Sequence, residues 1–344
     1  MKLIIQIPCL NEEADIAAVL EELPERFEGI GECEVVVIDD GSTDDTASVV
    51  LRSASRISHH VHLTKHRRNR GLAAAFQTGI DVSIDLGADV IVNLDGDGQY
   101  PAEEIDRLIE PILSGAADMV IGDRKPELCM ANTRVKRWLY RLGRWGVGHL
   151  LQHPIPDATS GFRAFSSECA FAFHRTTAYS YTLETLATTL DNGFSIRFVP
   201  IESRITDRPS RLYRSLVGFL YRSGETLIRV AFARRPLRLL LPMAICLGLV
   251  GVASLVRFLI LFGYGDGDGH TQSIVIGTGL CVSALMVFLT AALAELLRVN
   301  RILLERLASG RQLTSRVISR TPATSNPVYS RQMAPSHRSD PCEV

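Results

Sequence analysis

Seven residues, Asn93-Leu94-Asp95-Gly96-Asp97-Gly98-Gln99, hold the densest chemistry in the chain. In extended backbone, side chains two apart point the same way. Asp95, Asp97 and Gln99 are therefore expected to present three oxygen groups to one side of a strand end. Hard oxygen donors suit Mg2+ or Mn2+ bound together with a diphosphate. Gly96 and Gly98 lack a Cβ and let a ligand approach the backbone. An Asp-x-Asp pair on its own is commonly a solvated turn, but this one follows a short apolar run, as a strand end would. Residues 35–40, followed by Gly41-Ser42-Thr43-Asp44, have a similar form: strand, tight turn, helix cap. Ser42 or Thr43 accounts for the cap. The paired carboxylates Asp39 and Asp40 are left over, and one could hydrogen-bond a base or a ribose. Pro8-Cys9-Leu10-Asn11-Glu12-Glu13 repeats the pattern and could both cap a helix and line a nucleotide pocket.

The elements that must position these residues are legible as alternating strands and helices. Residues 3–8, 34–40, 90–94 and 119–122 are short apolar, β-branched runs, and residues 12–23, 43–52, 72–86 and 102–114 are the helical stretches that follow them. This alternation implies an α/β domain with a mainly parallel sheet covered by helices on both faces. Ligands bind such sheets at the C-terminal strand ends, where Asn11, Asp39-Asp40, Asp95-x-Asp97 and Asp123-Arg124 collect. The chain has 344 residues, 46% hydrophobic and 22% charged, with a net charge of −1; this excludes wholesale disorder and argues against a nucleic-acid partner. Seven scattered cysteines without a Cys-x-x-Cys pair exclude a disulfide framework and a cysteine zinc site. His59, His60, His62 and His66 match no common zinc spacing and read as a solvated strand and loop.

Beyond about residue 203 the composition changes. Residues 204–238 hold nine arginines against Asp207 and Glu225, with Leu212, Leu216, Phe219 and Leu220 on another arc, as in a basic amphipathic helix lying on an anionic membrane surface. Residues 124–144 form a second basic cluster. Residues 239–262 carry one charge, Arg257, and residues 274–293 carry none. At about 1.5 Å per residue each can cross a hydrocarbon layer of about 30 Å. Arg234, Arg235 and Arg238 precede the first span and Arg298, Arg301 and Arg306 follow the second, while residues 263–273 hold no Lys or Arg. This pattern predicts a transmembrane hairpin with both ends cytoplasmic. Arg257 is expected to snorkel outward or to meet a lipid phosphate. With no secretory signal at the N-terminus, the first domain is expected in the cytoplasm, at the inner membrane if the source is bacterial. Residues 298–344 read as a basic, disordered tail.

The motifs, taken together, resemble a known family. Ile7-Pro8-x-x-Asn11-Glu12, Val37-Ile38-Asp39-Asp40-Gly41-Ser42-x-Asp44, Arg70-Gly71-Leu72 and Asp95-x-Asp97-x-Gln99 look like those of family 2 glycosyltransferases, in the branch of dolichol-phosphate mannose synthase and related polyprenyl-phosphate glycosyltransferases. Ile121-Gly122-Asp123-Arg124, Asp157-x-x-Ser160-Gly161-Phe162-Arg163 and Glu184 with Val199-Pro200-Ile201 extend the match over some 200 residues. The resemblance implies a GT-A fold over residues 1–203, a nucleotide-diphospho-sugar donor (GDP- or UDP-linked), Mg2+ or Mn2+, and a membrane polyprenyl phosphate, dolichyl or undecaprenyl, as acceptor. It leaves self-association into a homo-oligomer open. Pro8, Asn11, Glu12, Asp39 and Asp40 would frame the nucleoside, with Asp95 and Gly96 beside the donor. Asp95, Asp97 and Gln99 would hold metal and diphosphate. Arg124 and Arg163 would bind the acceptor's phosphate and with Asp97 form the catalytic set. The loop Arg208-Pro209-Ser210-Arg211 is shorter than the family's, lacks its glycine and has arginine for lysine, so Arg208 is the weakest of the phosphate ligands. A phosphate monoester is largely dianionic at neutral pH and needs no general base; a single displacement would invert the anomeric carbon. Two alternatives stand beside this reading: a hydroxyl-bearing lipid such as a diacylglycerol or sphingolipid, with Glu184 as the base, and a non-catalytic membrane scaffold.

Overall fold

The computed structural model describes residues 1–124, 134–173, 181–204, 232, 236–264 and 271–320. Seven strands form one sheet: β1 (Lys2–Cys9), β2 (Glu32–Asp39), β3 (His60–Lys65), β4 (Val90–Asn93), β5 (Met119–Asp123), β6 (Arg163–Ser166) and β7 (Ile196–Pro200), in the order β3-β2-β1-β4-β6-β5-β7. The pairs from β3 to β4 are parallel. β6 runs antiparallel to both its neighbours, and β5 and β7 are parallel again. The helices are α1 (Ile16–Glu21), α2 (Thr46–Ala54), α3 (Leu72–Asp85), α4 (Ile105–Leu113, entered by a 3-10 turn at Ala102–Glu104), α5 (Arg134–Leu151), α6 (Ser167–Phe171), α7 (Tyr181–Asp191), α8 (Pro236–Gly263) and α9 (Thr271–Arg320).

Alternation within β1 explains why the sheet is covered on both sides. Leu3, Ile5 and Ile7 join one core with α1 and α4, through Ile16, Leu20, Ile105 and Leu108. Ile4 faces the opposite core, with Val36 and Ile38 of β2 and Phe76 and Ile80 of α3. A strand buried on both faces reads as a continuous apolar run, and that is the run visible in the sequence. The same reasoning misses β6. It has four residues and opens on an arginine, so it carries no apolar run, yet it sits between β4 and β5.

The chain separates into two units, Met1–Arg298 and Val299–Val344. Residues 236–263 and 272–300 are helices long and apolar enough to cross a membrane, with mean hydropathies of 2.5 and 2.3 and little of either buried. They pack antiparallel along small residues. A Cβ on Gly251 would lie 2.8 Å from Cys281 Sγ and 3.0 Å from the Gly277 carbonyl, and one on Gly277 would lie 2.9 Å from Leu255. Ala244, Ala284 and Ala291 are buried. Close backbone approach of this kind is how apolar helices associate where water supplies no driving force. Arg257 is exposed on α8. In the second unit α9 continues to Arg320, which corrects the expectation of a disordered tail from residue 298. Residues 299–320 contain no proline, and adding residues to an existing helix avoids the cost of nucleating one. Most of the basic segment 204–238, including Arg208, lies outside the described residues.

Candidate active site

The C-terminal ends of β1 and β2 are joined by side chains that serve the backbone. Asn11 adopts a left-handed conformation, φ 54°. Its N–H donates to Ser42 Oγ at 2.9 Å, and its side-chain oxygen accepts from the Thr43 N–H at 2.9 Å. The Glu12 N–H donates to Thr46 Oγ1. Pro8 lies in the buried part of β1. Asp40 holds the loop that follows β3: its carboxylate accepts the N–H groups of Arg70 at 2.9 Å and Gly71 at 2.8 Å, and His66 Nδ1 lies 2.6 Å away. That loop rests directly on Gly41, where a Cβ would come within 2.6 Å of Asn69 N. Asp39 is fully buried. One of its oxygens accepts from the Ser42 N–H at 2.7 Å; the other lies 3.2 Å from Lys65 Nζ without a hydrogen bond. Of the two carboxylates expected at the nucleoside, Asp39 therefore keeps an oxygen to offer, while Asp40 is engaged in shaping the loop.

The Asp95-x-Asp97 segment follows β4, but not as extended backbone. Residues 96–98 turn, with Gly98 at φ +69°, and Asp97 Oδ1 accepts the Gln99 N–H at 3.0 Å. The expected two-residue alternation is thus replaced by a turn that only glycine at 98 adopts without strain. Gly96 is needed for packing: a Cβ there would lie 3.2 Å from Cys9 Cβ, so it lets β1 approach, not a ligand. The Gln99 carbonyl accepts the N–H of Arg204, whose guanidinium pairs with Glu22 at the C-terminal cap of α1.

Asp95 is the unbalanced group. Burial first, and the neighbouring Asp97 second, push its carboxyl up to about 7 against the opposing pull of Arg124 and Arg163. Its oxygens lie where a Cβ on Gly161 would be, 2.7 and 3.0 Å from that point, with Tyr181 Oη 2.9 Å from it. Two crowded carboxylates fit a hard divalent cation, which would relieve their repulsion. Among the described residues no three His, Cys, Asp or Glu side chains cluster as a metal site. A cation here would complete its shell with other oxygens, such as those of a diphosphate.

Arg124, just past β5, forms a two-pronged pair with Asp157: Nε donates to Oδ2 at 2.8 Å and Nη2 to Oδ1 at 3.1 Å. It also donates to Thr159 Oγ1 at 2.8 Å and leans on Tyr100 Oη at 3.4 Å. Burial opposes ionisation of Asp157, yet Arg124 and the Thr159 N–H hold its carboxyl below the usual range. Arg124 stays 19% exposed. Arg163 does not. Its side chain is wholly buried, and it donates to the carbonyls of Ser160 at 2.7 Å, Thr182 at 2.7 Å and Ala158 at 3.0 Å and to Thr185 Oγ1 at 2.8 Å. Burial lowers its guanidinium to about 10. This corrects its expected role: Arg163 ties the 157–162 turn to α7 and does not reach a phosphate. Glu184 is half-buried on α7, beside Thr185.

The histidines are not solvated as a group. His59 and His66 are buried, on the Pro24 carbonyl and on Asp40 with Thr78, whereas His62 meets Glu34. Sequence reasoning missed Asp157, Tyr100 and His66 as site-shaping residues. A counter-ion for Arg124 was the available signal, and Asp157 stood in a quoted motif.

Comparison with known proteins agrees with this arrangement. The profile of glycosyl transferase family 2 matches residues 4–170, which span every described site residue from Pro8 to Arg163. Undecaprenyl-phosphate mannosyltransferase of Micrococcus luteus is 31% identical over 172 residues, covering 49% of this chain and 68% of that protein. UDP-N-acetylglucosamine–dolichyl-phosphate N-acetylglucosaminyltransferase of Methanococcus voltae is 29% identical, covering 62% and 90%. Polyprenol monophosphomannose synthase of Mycolicibacterium smegmatis is 27% identical, covering 58% and 76%. With its mainly parallel sheet, its single antiparallel insertion and its acidic turn after β4, the chain belongs to glycosyl transferase family 2, in the dolichol-phosphate mannose synthase-like branch, and is a glycosyltransferase of the GT-A fold.

Proposed function

We propose that this enzyme is a membrane-anchored, inverting transferase that moves a sugar from a nucleotide-diphospho-sugar to a polyprenyl phosphate, with Mg2+ or Mn2+ at Asp95 and Asp97. The observation that carries the donor half is Asp95, a carboxyl lifted to about 7 beside a second carboxylate. The acceptor half draws on the relatives, whose names specify undecaprenyl, dolichyl and polyprenol phosphates.

The residues divide the work. Asp39 offers its second oxygen to the base or ribose, with Pro8, Asn11 and Glu12 framing the same mouth. Asp95, Asp97 and Gln99 hold the cation, which when bound neutralises the diphosphate as it leaves. Arg124, fixed by Asp157 and partly exposed, meets the acceptor phosphate; its planar fork suits phosphate oxygens. Arg163 keeps the Gly161 turn against Asp95. A dianionic phosphate needs no general base, so positioning and charge neutralisation suffice for in-line attack. Helices α8 and α9 would anchor the enzyme where such a lipid resides, with the catalytic domain on the cytoplasmic side.

The decisive experiment incubates membranes containing the protein with UDP- and GDP-sugars and polyprenyl phosphate and identifies the glycolipid by mass spectrometry. Product on a phosphate-free lipid alone overturns the acceptor assignment. Tags at residue 268 and at the C-terminus should report opposite sides of the membrane; both on one side would mean the hairpin does not cross.

A further inference from the structure

The chain contains two tryptophans, Trp138 and Trp145, and both lie on α5. Seven residues apart on an α-helix, they stand within about 20° of each other. The core side of this helix is settled by Val147 and Leu151, which are buried with β5 and α3 residues. Trp145 lies about 160° from Val147 on the wheel. It is 66% exposed, with Leu142 beside it at 46%. Arg141 and Arg144 are exposed on the same helix, and the His149 ring stacks on Trp145 at 5.4 Å. Residues 128–156 hold no Asp or Glu, whereas α5 alone carries five Lys or Arg: Arg134, Lys136, Arg137, Arg141 and Arg144.

An indole left in water on a purely basic helix has no use in the donor site. Trp and Leu among arginines are the mixture that settles at the boundary between lipid headgroups and acyl chains, with the ring at headgroup level and the guanidiniums on anionic phosphates. The overall charge of −1 disfavours nucleic acid as the occupant. We propose that α5 is a membrane-docking surface that seats Trp145 and Leu142 in an anionic bilayer face. The proposal rests on the reading of α8 and α9 as membrane-spanning, since it takes the same bilayer as its partner. Docking by α5 would place a second contact on the catalytic domain itself, apart from the hairpin.

Because no tryptophan lies elsewhere, intrinsic fluorescence reports this helix alone. The full-length protein is reconstituted into vesicles of phosphatidylcholine and phosphatidylglycerol, some containing lipids brominated near the headgroup and others lipids brominated near the chain end. The expected result is a blue-shifted emission, quenching at least twofold stronger by the shallow bromines, and a severalfold loss of iodide quenching, with the shift weakened in pure phosphatidylcholine. Trp138→Phe, leaving Trp145 as the emitter, should keep the response. Trp145→Ser should raise the KM for a long-chain lipid acceptor severalfold without changing the KM for the nucleotide-sugar. Vesicle-bound protein whose tryptophans stay open to iodide and indifferent to brominated lipid overturns the α5 surface and leaves the hairpin standing; an acidic protein as the true occupant would give this result. Failure to float with vesicles at all overturns both.

Discussion

The loops after β1 and β2 and the turn after β4 are both rich in acidic and amide groups, but they differ in how those groups are matched. In the loops after β1 and β2 the polar groups are largely paired: Asn11 bridges to Ser42 and Thr43, and Asp40 holds Arg70, Gly71 and His66. One oxygen of Asp39 accepts no hydrogen bond and is paired with the Lys65 ammonium at 3.2 Å. In the turn after β4, Asp95 is crowded by burial and by Asp97. Matched groups fix geometry, and unmatched ones are left to bind. The same distinction separates the two arginines: Arg163 is fully engaged and structural, whereas Arg124 is anchored on Asp157 but still meets solvent.

The strongest test of the comparison is Asp97→Ala. Removing this proposed cation ligand, whose own hydrogen bond is a local one from the Gln99 N–H, should cut transfer on the order of 100-fold or more while leaving thermal unfolding nearly unchanged. EDTA should mimic it and Mg2+ or Mn2+ should reverse the EDTA effect. Full activity in metal-free protein would break the assignment.

Arg163→Ala should do the opposite. It strips the donor from the carbonyls of Ser160, Thr182 and Ala158 and from the buried Thr185 hydroxyl, so the expected loss is on the order of 3–5 kcal/mol of stability, read by denaturant titration. Arg124→Ala should impair transfer to lipid phosphate by roughly tenfold to a hundredfold, with donor affinity by calorimetry largely kept. If Arg163→Ala folds normally and loses only lipid response, the division between the two arginines fails.

Asp40→Ala tests a smaller effect. The Arg70 N–H loses its acceptor and the Gly71 N–H keeps Asn69 Oδ1 alone, at about 1–3 kcal/mol, and the KM for the nucleotide-sugar should rise with less change in kcat. An altered metal requirement instead would blur the two regions into one.

A pH signature supplies a further test. The Asp95 carboxyl titrates near 7 in the folded chain, against about 3.9 when unfolded. Between those values the folded state holds the additional proton, so metal-free stability falls as pH rises through about 7. Melting of EDTA-treated protein should show Tm declining by about 2–4 °C per kcal/mol lost, and Mg2+ should raise Tm more at about pH 8 than at about pH 5. A lift independent of pH would mean that Asp95 is not the cation's ligand.

Much of this was legible before the structure. β1, β2, β4 and β5 announce themselves because strands buried on both faces are continuous apolar runs, and the acidic groups at their ends follow from topology. What could not be read is what depends on distant partners. β6 is too short and too polar at its start to register as a strand, so the burial of Arg163 was hidden and its guanidinium looked available. Asp157 joins Arg124 across 33 residues. The turn at 96–98 depends on the backbone angle of Gly98, and Gly96 on contact with Cys9. In each case the residue type was visible but its neighbour was not.

The place of β6 in the sheet has a consequence for biosynthesis. β1, β2 and β3 pair in order, so this part of the sheet can assemble from roughly the first fifth of the chain as it emerges. β4 reaches only β1 at that stage; its other edge is filled by β6, seventy residues later. Until residues 157–166 are made, Arg124 has no Asp157, Asp95 has no Gly161 backbone beside it, and the edge of β4 is bare. A ribosome paused between those points would carry a half-built domain with an open strand edge, the state most exposed to mispairing. The middle of the sheet, beside Asp95 and Arg124, thus closes late, with only the edge strand β7 still to be added before the apolar helices are made.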